Sequence, residues 1–281
     1  MAKMQPPERK TVVITPDATE AIQRKLDGIE KDKSVRVLYA CESGSRAWGF
    51  ESEDSDYDVR FIYAHRTEWY LTIRNKRDVI EPPIEEDLDL SGWDLIKTLE
   101  LFRKSNPPLL EWLQSPVVYR ESGSAATRLR ELLPDYYSPK SCMYHYLNMA
   151  RNNRRSYLQG EEVWVKKYFY VLRPVLACRW IEADRGPVPM EFEKLLDAVV
   201  EDKDLRTAID ELLVDKRQGK ELRRGRPRPV ISEFLEKEIS RLSAEHKPPS
   251  RTADPARLDR VFRELLIEAN GPEIGIGSTP P

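Results

Sequence analysis

Gly44-Ser45-Arg46-Ala47-Trp48-Gly49-Phe50, an acidic turn over Glu51 to Ser55, then Asp56-Tyr57-Asp58-Val59-Arg60-Phe61-Ile62-Tyr63 is the stretch that decides the fold. The short, partly β-branched run from Val35 to Ala40 precedes it. The pattern reads as strand, Gly-Ser turn, short helix, acidic loop, strand. Side chains alternate along a strand, so Asp56 and Asp58 share one face. Two carboxylates at that spacing suit divalent cations, which favour hard oxygen ligands. Gly44 lets the backbone approach a ligand closely, and amides at a helix start favour phosphate. The bland alternative is a solvated acidic turn beside a strand. The apolar strand that continues the pair argues against it, because buried surroundings make unpaired carboxylates costly.

A Gly-Ser pair, a ten-residue gap and Asp-x-Asp on a strand resemble the DNA polymerase beta nucleotidyltransferase superfamily. Three further stretches narrow the resemblance. They are Leu90-Ser91-Gly92-Trp93-Asp94-Leu95, Lys104 to Pro116 and Lys166 to Pro174. Together they are similar to the RNA-repair-pathway DNA polymerase beta branch, a group of nucleotidyltransferases, over most of the chain. The resemblance implies an α+β fold: a small mixed sheet with helices, followed by a helical domain, with a cleft between them. It implies two Mg²⁺ ions, with Mn²⁺ as an alternative, on Asp56, Asp58 and a third acid from a later strand. That acid falls just before the Gly-Trp-Asp-Leu signature, which points to Asp89, with Asp87 as the alternative. On a strand over Ile84 to Leu90, Leu88 and Leu90 face the core and Asp87 and Asp89 the other side.

The resemblance also implies NTP as substrate, held at its β- and γ-phosphates by Gly44 and Ser45 with Arg46 in the same turn. An NMP passes to a hydroxyl, and an RNA 3′ end is the acceptor that the branch name implies. Transfer to a protein hydroxyl, or nucleotide or RNA binding without turnover, are the rival readings.

Composition bounds the rest. The 281 residues suffice for one large or two modest domains. Charged residues make up 33% and hydrophobic ones 40%, as in a soluble globular protein. The formal net charge is -2, so a nucleic-acid partner needs a local basic patch. No apolar run approaches a membrane span, and Met1 to Lys10 lacks the apolar core of a secretion signal. Cys41, Cys142 and Cys178 are odd in number and widely spaced, which argues against a disulfide framework or zinc site. A reducing cytoplasm is the expected compartment.

Helical periodicity dominates after Ser122-Gly123-Ser124. The expected units are therefore 1–122, a helical 123–270, and a disordered tail over 271–281. Expected helices include Pro139–Gln159 and Glu162–Asp184, with Pro174 kinking or breaking the second. Arg151, Arg154 and Arg155, then Lys166, Lys167 and Arg173 with Tyr168 and Tyr170 between, suit a nucleotide or RNA strand. A solvated helix face is the plainer reading of any one of them. Lys167 and Arg173 are the expected phosphate contacts, since helical domains of the superfamily supply such residues across the cleft. Lys216 to Arg228 reads as a mobile basic loop, and His246 to Pro255 as a linker.

Overall fold

Val35–Glu42 (β1) is buried along its whole length except at Arg36. Such a strand needs cover on both faces, and the fold supplies it. β1 lies in a five-stranded sheet with Tyr57–His65 (β2), Val79–Ile80 (β3), Leu88–Asp94 (β4) and Val118–Glu121 (β5), in the order β3-β4-β2-β1-β5. β2 and β4 run parallel, and the other pairings are antiparallel. This computed structural model describes residues 14–52, 55–85, 87–218, 224–245 and 254–271. The chain is α+β, a mixed sheet followed by helices.

Pro16–Lys33 (α1) covers one face. Thr15 caps it by accepting from the Ala18 amide, and Pro16 opens its first turn. Ile22 and Leu26 pack there with Val37, Val59, Phe61 and Tyr63. Two short helices follow strands: Ser45–Trp48 (α2) and Thr67–Tyr70 (α3). Leu95–Arg103 (α4), capped by Asp94, and Pro107–Trp112 (α5), capped by Asn106, begin the cover of the second face. Ala125–Tyr136 (α6), Pro139–Tyr157 (α7), Tyr168–Glu182 (α8), Phe192–Val199 (α9), Lys203–Arg217 (α10), Pro229–Glu245 (α11) and Ala256–Asn270 (α12) complete it.

Among the described residues after 122 the regular structure is helical, except for a two-stranded ribbon of Val163–Trp164 (β6) and Arg224–Gly225 (β7). The apolar core does not stop there, however. One cluster runs from Tyr39 and Ile62 through Trp112 into Phe169, Leu172 and Leu265. α12 returns to the sheet: Asn270 Nδ2 donates to the His65 carbonyl at 3.0 Å, and Phe262 meets Tyr70 edge-on.

Three expectations change. The helix predicted over Glu162–Asp184 starts only at Tyr168. Val163, Trp164 and Val165 are β-branched or aromatic and favour extended backbone. They form β6 and lead into a 3₁₀ turn over Val165–Lys167. Pro174 does not break α8. Its missing N–H frees the Tyr170 carbonyl one turn earlier, and Asn153 Nδ2 of α7 donates to that oxygen at 3.2 Å. The basic run is not wholly a loop either. Lys216 and Arg217 end α10, and Arg224–Gly225 pairs with β6. Residues 219–223, most of the His246–Pro255 linker and the tail from 272 lie outside the described residues.

Candidate active site

β1 ends at Glu42, a fully buried acid that sequence reasoning passed over. Its Oε1 accepts from the Gly44 amide at 3.3 Å and the Asp58 amide at 2.9 Å. Its Oε2 accepts from the Tyr119 hydroxyl at 2.5 Å. One carboxylate thus ties the turn after β1 to the start of β2. The signal was an acid closing an apolar strand just before the glycine. Gly44 is required by the resulting approach. A Cβ there would lie 1.7 Å from Asp58 Oδ2 and 2.5 Å from its Cγ. Ser45 follows on the same turn, and its hydroxyl makes no hydrogen bond to another described residue.

Parallel pairing of β2 with β4 sets Asp58 beside Asp89 in register. Strand alternation does the rest: Leu88 and Leu90 are buried, while Asp89 is half-buried on the opposite face. Asp87 is exposed, and its carbonyl accepts from the Tyr57 amide at 2.7 Å. Asp89, not Asp87, is therefore the acid set beside Asp58 in the sheet. Asp56 is exposed, two residues before Asp58.

Arg60, two residues after Asp58 and on its face, joins the acids. Nη2 donates to Asp58 Oδ1 at 3.1 Å and to Asp89 Oδ2 at 2.8 Å, and Nη1 to the Asp89 carbonyl at 2.8 Å. The i, i+2 spacing was its signal. The Asp58 carboxyl is pushed up to about 6: burial raises it most, Arg60 pulls it down, and Glu42, Asp89 and Asp56 add to the rise. Among the described residues no three His, Cys, Asp or Glu side chains gather closely enough to hold one ion. The donor set nevertheless suits a hard divalent cation. Like-charged oxygens converge beside a glycine that leaves no room for a methyl group, and the positive charge between them comes from Arg60.

The helical half closes over this sheet end. Tyr170 of α8 lies in the field of Asp58 and Asp56; its phenol is raised by burial first and then by those charges. The Lys167 ammonium sits 4.1 Å from the Tyr170 ring centroid and 5.0 Å from that of Tyr157, and burial lowers its pKa. α10 pins the loop between α2 and β2. Lys216 Nζ donates to Ser52 Oγ at 2.6 Å and Ser55 Oγ at 3.2 Å, and Arg217 reaches the Gly49 carbonyl. This role of Lys216 was not anticipated, because 164 and 161 positions separate it from Ser52 and Ser55.

Two expected phosphate contacts are turned elsewhere. Arg46 is buried, donates to the Ser55 carbonyl at 2.6 Å and lies 4.0 Å over the Tyr57 ring. Arg173 is buried under α9. Its Nη1 donates to Glu111 Oε1 at 2.5 Å, and its Nη2 to the Pro189 and Met190 carbonyls. Both cations are held by the fold and do not face the carboxylates.

A family model described as RNA repair pathway DNA polymerase beta family matches residues 18–264. The uncharacterized protein YcgL of Bacillus subtilis (strain 168) is 53% identical over 218 residues, which is 78% of this chain and 84% of that protein. A nucleotidyltransferase-like protein from Exiguobacterium sibiricum, solved by crystallography, shares 12% identity, with 86% of this chain and 80% of that one covered at a TM-score of 0.32.

Proposed function

The chain belongs to the RNA repair pathway DNA polymerase beta family, and on that premise we propose that it transfers a nucleoside monophosphate from an NTP to the 3′ hydroxyl of an RNA. The observation that carries the reading is the convergence of Asp58 and Asp89 beside a turn that only glycine can fill. Asp58 and Asp89 would hold Mg²⁺ once the exposed Asp56 turned in to join them, and the ion would supply a lower pKa for the attacking hydroxyl and neutralise charge on the leaving oxygens. Gly44 and Ser45 receive the β- and γ-phosphates, and Lys167 adds positive charge from the helical side. The acceptor oxygen bonds to the α-phosphorus as the bond to the bridging oxygen breaks. Pyrophosphate leaves, and Asp89 takes the acceptor's proton. Glu42, Arg46 and Lys216 act on the substrate only through the loop they hold.

The test offers labelled NTP with tRNA-like RNA and, separately, with cell protein. Label on RNA that disappears in Asp56→Asn/Asp58→Asn supports the reading. Label on protein alone moves the acceptor to a protein hydroxyl. Binding of NTP or RNA with no label transferred, by wild type or variant, leaves a binding protein.

A further inference from the structure

Beyond Lys167 and Tyr170 lies a surface that the transfer chemistry does not use. β6 and β7 pair Val163 with Gly225 and Trp164 with Arg224. Trp164 is 45% exposed, although a tryptophan so placed could have packed on the large core beneath. The Arg224 guanidinium lies 6.0 Å from its ring centroid. Lys166 and Arg226 are exposed on the same segments, and neither they nor Arg224 make an ion pair with another described residue.

The ribbon leads directly to the site. Trp164 and Lys167 bracket a single 3₁₀ turn, and Lys167 rests on Tyr170, which is 37% exposed and lies in the field of Asp56 and Asp58. Exposed rings thus alternate with cations, from the acids outward, in a chain whose net charge is -2. Rings stack on unpaired bases and the cations between them track phosphates, the recurring chemistry of single-strand binding. A duplex hides its base faces and would gain only the charges.

We propose that Trp164, Lys166, Arg224 and Arg226, with Tyr170 at the inner end, dock the single-stranded segment that precedes the acceptor's 3′ end. The identity of that ligand as acceptor rests on the transferase reading; the docking itself does not. Bases stack on Trp164 and Tyr170, and the 3′ terminus is led toward Asp56 and Asp58.

The experiment measures fluorescence anisotropy of a labelled single-stranded oligoribonucleotide on the full chain, without NTP or Mg²⁺, beside a duplex of the same sequence. Trp164→Ala should weaken single-strand binding about tenfold, and Arg224→Ala should lower the salt slope by about one. Both residues are exposed, so circular dichroism and melting should match wild type. The competing surface is the outer face of α7, where Asn148, Arg151, Asn152 and Arg155 line an open groove. Single-strand binding unchanged in Trp164→Ala and Arg224→Ala overturns the proposal. So does a loss confined to Arg151→Ala/Arg155→Ala, or equal affinity for the duplex. Transfer of label from ATP is assayed in parallel. Docking lost in Trp164→Ala, with no transfer by wild type to any acceptor, upholds the platform and removes the transferase reading. Transfer with unaffected docking does the reverse.

Discussion

Arg60 and Asp58 carry opposite consequences for metal and for stability. Arg60 Nη2 touches both Asp58 and Asp89, so it and a divalent cation are alternatives for the same oxygens. Arg60→Met should lower the melting temperature of the metal-free protein and raise its affinity for Mn²⁺, read by electron paramagnetic resonance; unchanged affinity would show that the two do not compete. Asp58 behaves differently. Its folded carboxyl is held at about 6 against an ordinary 3.8, mainly by burial. Between those values the folded chain keeps a proton that the unfolded chain has lost. Stability therefore falls as pH climbs from about 4 to about 6, then levels off. His65, stacked 3.9 Å from Trp69 and lowered to about 4 by burial, slopes the other way over nearly the same range. The difference between the wild-type and Asp58→Asn curves isolates the carboxylate. Asp58→Asn should abolish transfer yet gain about 1–2 kcal/mol at pH 7, the site's open side screening part of the full shift. Chemical melts at pH 4 and pH 7 check this, and equal stability at pH 7 would refute it. The place of Asp58 on β2 was readable because strand alternation is local, whereas Asp56 lies one residue before the strand and is exposed. Arg60 obeyed the same spacing, but nothing local shows that a cation two residues on turns back onto the acid.

At the scale of elements, caps and periodic faces were legible and long-range pins were not. Thr15, Asp94 and Asn106 each accept from an amide two or three residues on, a pattern written in adjacent sequence. The start of α8 was misread because apolar spacing in 162–167 fits a helix as well as a strand, and its β7 partner lies 60 residues away. The loop between α2 and β2 depends on such a distant pin. Lys216 bonds both Ser52 and Ser55, whose hydroxyls also meet each other at 3.0 Å. Lys216→Met should leave those buried hydroxyls short of a donor, costing about 1–3 kcal/mol. Because the loop ends at Asp56, KM for NTP should rise more than the melting temperature alone explains. Ser52→Ala/Ser55→Ala in the Lys216→Met background should recover stability but not KM. An unaltered KM in Lys216→Met would separate α10 from the site.

Across the whole molecule, composition and the loss of strand signal after residue 122 gave the order of sheet then helices, but not how the halves join. Beside the shared apolar core, the join includes a buried charge pair. Glu111 of α5, under the sheet, accepts from Tyr146 of α7 at 2.5 Å and from Arg173 of α8 at 2.5 Å. Both charged residues are buried, at 8% and 3% exposure, so neither reaches solvent to recover its hydration. A sequence read for phosphate contacts cannot tell this arginine from one that faces a cleft, since both sit in a basic, aromatic helix. Stability distinguishes them. Arg173→Met alone strands the Glu111 carboxylate in the core and should cost about 3–5 kcal/mol. Glu111→Leu with Arg173→Met removes both charges and should recover most of that loss, leaving the Tyr146 hydroxyl without its acceptor and the Pro189 and Met190 carbonyls without the Arg173 donor. If the pair serves only to join the halves, the double variant transfers label with the wild-type KM for NTP. A raised KM in a double variant of wild-type stability would instead return Arg173 to the phosphates. Equilibrium unfolding of the three variants beside their transfer kinetics decides between a strut and a ligand contact.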